Sequence, residues 1–81
     1  MRGLDRLGSF KVSLHLVETE PEQVMVMMRS MVVLRAEVSY IAEAIEYHCY
    51  SPMFRRVNPG EPLPEYSMSM DSNKTVVAIE V

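Results

Sequence analysis

The chain has 81 residues, 48% of them apolar and 23% charged, with a net charge of −3. That is the size of one small domain. It is too apolar for a disordered segment, and it lacks the dense basic face of a non-specific nucleic-acid binder. Its one cysteine, Cys49, excludes an internal disulfide framework and points to a reducing, cytoplasmic setting.

Residues 1–8, with Gly3 and Gly8, read as a flexible leader ahead of a single α+β domain over 9–81. The leader has no apolar run of the kind that marks a signal peptide. In residues 9–17, Phe10, Val12, Leu14 and Leu16 alternate with Lys11, Ser13, His15 and Val17, the period of a half-buried strand.

Helix-start signals follow. Thr19 and Glu22 have the spacing of a capping box, and Pro21 suits a first helical turn. Glu18, Glu20 and Glu22 place negative charge at the positive end of a helix dipole. From 22 to 51 there is no glycine or proline, and Val24, Met27, Met31, Leu34, Val38, Ile41, Ile45 and His48 are spaced 3-4-3-4-3-4-3. That spacing predicts one long helix with a heptad seam, closed by Pro52. A competing reading makes 43–50 a strand with Ile45, Tyr47 and Cys49 on one face. The Ala- and Glu-rich run 36–46 favours helix over strand. Five charges within 22–51, Arg29, Arg35, Glu37, Glu43 and Glu46, argue against a membrane span.

Such a helix would be about 45 Å long, against a compact diameter of roughly 30 Å for a chain of this length. It also carries a second apolar stripe through Met25, Val26, Val32, Val33, Tyr40 and Tyr47. A small sheet covers one stripe, so the other predicts a sister helix. The expected assembly is a homodimer or higher homo-oligomer with Val24, Met27, Met31, Leu34, Val38, Ile41 and Ile45 at its interface. The methionines in this stretch read as filler, since Met adapts to irregular gaps.

Residues 52–65 hold Pro52, Pro59, Pro62, Pro64 and Gly60, with Met53, Phe54, Val57 and Leu63 as apolar anchors. This reads as an ordered connector containing a turn at Asn58-Pro59-Gly60-Glu61. Alternation over 65–70, a polar turn at 71–74 and a β-branched run at 75–81 predict a hairpin. The expected fold is α+β in the order β-α-β-β: one long helix packed on a small antiparallel three-stranded sheet.

Reactive side chains are sparse. His48 and Cys49 are adjacent, and on a helix adjacent residues point about 100° apart, too far for a catalytic pair. No zinc-ligand spacing, phosphate-binding loop or nucleophile elbow is present, so neither a metal, a cofactor nor an enzymatic role is expected. Glu43 and Glu46 read as a solvated face. The pair Arg55-Arg56 could grip an anion, although such a pair more commonly neutralises a helix end.

Ser51-Pro52-Met53-Phe54, followed by Val57, Gly60-Glu61 and Pro64-Glu65-Tyr66, resembles small uncharacterised bacteriophage and prophage proteins over residues 47–66. The resemblance implies a short accessory protein that binds a host protein. It carries no functional residues with it. The expected function is therefore a non-enzymatic, homo-oligomeric interaction protein presenting Phe54, Arg55, Arg56, Glu61 and Glu65 as a rigid exposed epitope. The alternative is a small-anion or nucleotide binder with His48, Tyr50, Arg55 and Arg56 at the subunit seam.

Overall fold

The computed structural model describes residues 5–81. Its elements run β1 (Leu7–Ser13), α1 (Leu14–Thr19), α2 (Pro21–Met28), β2 (Val32–Ser39), β3 (Ala44–Tyr50), β4 (Tyr66–Met70) and β5 (Val76–Glu80). β1, β3 and β2 form an antiparallel sheet in the order β1-β3-β2, and β4 and β5 form a separate two-stranded sheet. β1 takes in Leu7 and Gly8, which the sequence assigns to the leader; Asp5 and Arg6 of that leader precede the strand, and residues 1–4 lie outside the described residues.

The long helix does not form, and a dimer seam built on it goes with it. The helical part stops at Met28, and 32–50 is a β-hairpin, so the strand reading of 43–50 is the one the structure adopts. The reason lies in two competing periods. A 3-4 spacing places residues on one helical face but scatters them over both faces of a strand. Val32, Val33 and Val38 are β-branched and fit a pleated surface better than a helix. In β3, Ile45, Tyr47 and Cys49 sit opposite Val12, Phe10 and Gly8 of β1, so that face follows a period of two. Long-range pairing on this face overrides the helical preference of the Ala and Glu residues between.

The helix starts also differ from expectation. Ser13, not Thr19, supplies a side-chain cap: its hydroxyl accepts from the Leu16 amide at 3.0 Å and opens α1. The Thr19 hydroxyl instead donates back to the His15 carbonyl at 2.8 Å, inside α1. α2 is capped by Glu20 without a side-chain bond, and Pro21 takes its first turn as expected.

The C-terminal hairpin forms where the alternation places it, with Tyr66 opposite Glu80 and Met70 opposite Val76. Its turn is held by the Asp71 carboxylate, which accepts from the Asn73 and Thr75 amides at 2.9 Å each.

The core is small. Phe10, Cys49 and Phe54 are fully buried and pack with Val12, Val24, Met27 and Tyr66. Phe54 stacks on Tyr66 with ring centroids 4.4 Å apart, and the Tyr66 hydroxyl accepts from the Arg55 amide at 3.0 Å. The connector is tied down along its length. Ser51 N–H donates to the Arg6 carbonyl, Val57 N–H to that of Asp5, and the Pro64 carbonyl accepts from Ser9 N–H at 2.9 Å. Those bonds, with a parallel bridge between Ser9 and Glu65, cover the outer edge of β1.

Candidate functional site

The connector, where the sequence places an epitope, is mostly committed to internal contacts. Phe54 is buried rather than exposed; it is the connector's anchor. Arg55 lies between two carboxylates, Glu61 at 2.6 Å and Glu80 at 2.8 Å. The Arg55 hydrogen bond, then the Asn58 amide, holds the Glu61 carboxyl below its usual range, and Glu61 and Glu80 in turn raise Arg55 above its own. A guanidinium already facing two carboxylates is a poor receptor for a further anion. Arg56 is exposed and lies 3.6 Å from Asp5. Glu65 is exposed, and its carbonyl accepts from the Val81 amide at 2.9 Å.

His48 and Tyr50 sit on β3, on the sheet face away from the core. The His48 imidazole is 3.5 Å from Glu46, while Tyr50 is half-buried opposite Leu7 and Val32. His48 and Cys49 are adjacent on a strand, so they point to opposite faces. Burial pushes the Cys49 thiol up to about 11, which makes it a packing group rather than a nucleophile. Among the described residues no cluster of His, Cys, Asp and Glu has the makings of a metal site. Among the described residues no helix is long and apolar enough to cross a membrane.

The residues expected at a helix seam divide in two. Val24 and Met27 are buried in the core, Met31 is half-buried against it, and Ile45 is half-buried on β3. Leu34, Val38 and Ile41 are exposed, on β2 and on the turn that follows. This second group marks the most unusual surface of the molecule. Every residue of β2 from Val32 to Val38 is exposed. Val32 is 56% exposed, Leu34 52%, Val38 45%, Tyr40 82% and Ile41 100%. Native sheets seldom leave such an edge bare, because a row of unpaired amides and carbonyls templates further pairing. Large contiguous apolar patches are uncommon on the surfaces of monomeric soluble proteins.

The phase of the edge is fixed by one bond. Leu14 N–H donates to the Glu43 carbonyl at 2.9 Å, so Glu43, and by alternation Ile45, Tyr47 and Cys49, aim their backbone groups toward β1. Ala44, Glu46 and His48 therefore aim at β2, where Ser39, Glu37 and Arg35 stand opposite them. Between these residues, Ala36 and Val38 turn their amides and carbonyls outward. A β-bulge between Val33 and Arg35 ends the regular run. Arg35 and Glu37 share one face of the strand and pair with each other at 2.9 Å. The other bare strand, β5, exposes Val77 and Ile79, with exposed Val81 just after it, around Glu80, which Arg55 holds.

Comparison with protein-family models, with curated proteins and with solved structures finds no match to this chain. The β-branched run Val32-Val33-Leu34 is the sequence signal that could have located the edge. It was hidden inside the heptad spacing.

Proposed function

We propose that this is a small non-enzymatic interaction protein that associates through the open edge of β2 and the adjoining Tyr40-Ile41 tip. The observation that carries the reading is the uninterrupted exposure of Val32 to Val38 on an unpaired edge strand. Such an edge binds by strand addition: main-chain hydrogen bonds supply affinity and alternate side chains supply specificity. A reducing, cytoplasmic location suits a chain whose one cysteine is a free, buried thiol. The resemblance of residues 47–66 to phage and prophage proteins supports a host protein as a further partner of the assembled form.

The test is a photo-crosslinking amino acid in place of Val38, with the same residue in place of Lys11 on the opposite sheet face as control. Irradiation of cells producing the full chain is expected to give an adduct from position 38 and none from position 11. No adduct at position 38, with this chain or any other, would overturn the reading.

A further inference from the structure

We infer that the occupant of the β2 edge is a second copy of this chain, paired antiparallel about a two-fold axis at Ala36, so that Arg35 of each copy faces Glu37 of the other. The inference rests on the reading of β2 as the interaction edge and names its partner.

Backbone phase restricts the registers. Only Ala36, Val38 and the residues in step with them present amides and carbonyls outward, so an added strand must pair outward residue with outward residue. In a symmetric antiparallel pair the axis then falls at 35, 36, 37 or 38. An axis at 35 sets Arg35 against Arg35, and one at 37 sets Glu37 against Glu37; like charges directly opposite are destabilising. An axis at 38 leaves Glu37 opposite Ser39 and carries the strand into the turn. The axis at Ala36 alone sets opposite charges across the seam, twice. It also puts the smallest side chain of the strand on the axis itself.

In that register Ala36 exchanges both backbone bonds with its copy. Arg35 and Glu37 form the non-hydrogen-bonded pairs, where cross-strand side chains come closest. Each copy already holds Arg35 and Glu37 within 2.9 Å of each other on one face, so the four charges close into an alternating ring. The interface is isologous, as a closed two-fold dimer requires. The strands continue as β1-β3-β2-β2-β3-β1, and the axis, normal to the sheet, keeps both core faces on one side.

Light scattering of the full chain is expected to give twice the 9.3 kDa chain mass. Arg35→Glu and Glu37→Arg, each alone, place like charges across the seam and are expected to weaken the dimer about tenfold. Mixing the two single variants restores it, because the acidic side chain at position 35 of one then faces the basic side chain at position 37 of the other. That rescue distinguishes the seam from the Arg35–Glu37 contact within one chain, which neither variant retains. Circular dichroism of each single variant checks that the chain folds. Separately, Ala36→Cys is expected to form an intermolecular disulfide on mild oxidation, since directly opposed hydrogen-bonded residues lie about 5.5 Å apart. Val38→Cys, two residues from the axis, is expected not to. A monomeric chain, single variants that dimerise like the parent, or a mixture that stays monomeric would each overturn the register. A foreign adduct at position 38 from a monomeric chain would overturn self-pairing while leaving the interaction edge standing.

Discussion

Two single residues show how tightly the small core is fitted. A methyl group added at Gly8 would lie 2.6 Å from Cε2 and 2.7 Å from Cδ2 of Tyr66, and 3.0 Å from Cδ2 of Phe54. The sequence reads Gly8 as part of a loose leader; in the structure it is the place where a stacked aromatic pair meets the strand. Gly8→Ala is expected to destabilise the fold by about 1–3 kcal/mol, as overpacking of a filled core does. The urea midpoint checks it. Cys49, beside it across the β1–β3 pair, makes a pH prediction. Burial raises its thiol from 9.0 to about 11, so the unfolded chain loses this proton first. The group's contribution is whole below pH 9 and is lost as pH rises toward 11. The denaturation midpoint is expected to fall across that window, and to fall less for Cys49→Ala measured against its own neutral-pH value. The native thiol should also resist an aromatic disulfide reagent that labels the unfolded chain at once.

The β2–β3 hairpin carries most of the difference between what the sequence suggests and what the chain does. A sequence reading finds hairpins by glycine or asparagine at the turn, and Tyr40-Ile41-Ala42-Glu43 has neither. The turn is made instead by Glu43 at φ 52°, in the left-handed region, and by the Ser39 hydroxyl, which accepts from the Ala42 amide at 3.2 Å. With the turn hidden, a 3-4 spacing of apolar residues ran through both strands unbroken. Where local chemistry was explicit, as at Pro21 or the Asp71 turn, the elements were legible. Contacts between distant residues were not: Arg55 is visible as a charge, but nothing near it in sequence points to Glu80. The strain at Glu43 is testable. A left-handed conformation costs a non-glycine residue about 1–2 kcal/mol, and glycine returns part of that as unfolded-state entropy. Glu43→Gly is therefore expected to stabilise the hairpin by about 0.5–1 kcal/mol, read as a higher thermal midpoint with the same strand signal.

At the scale of the whole molecule the balance of buried and bare surface argues for association. The described chain measures 37 × 32 × 21 Å. Its buried apolar side chains are Phe10, Val12, Val24, Met27, Ala44, Cys49, Phe54 and Tyr66, while eleven large apolar residues stand exposed, six of them between Val32 and Ile41. A core of that size is marginal by itself. Half-covering Val38 of each copy in a dimer would add about 1 kcal/mol apiece, taking half the value of full burial. Stability that comes from a second copy depends on how much of that copy is present. The thermal midpoint is therefore expected to rise with protein concentration, over the same range in which light scattering shows monomer passing to dimer. Val38→Lys places a charge on the seam without touching the monomer core. It is expected to lower the midpoint at high concentration and leave it unchanged at high dilution, where the parent chain is also monomeric. A loss of equal size at both concentrations would mean that Val38 supports the monomer, and a midpoint independent of concentration in the parent chain would remove the dimer from the account of its stability.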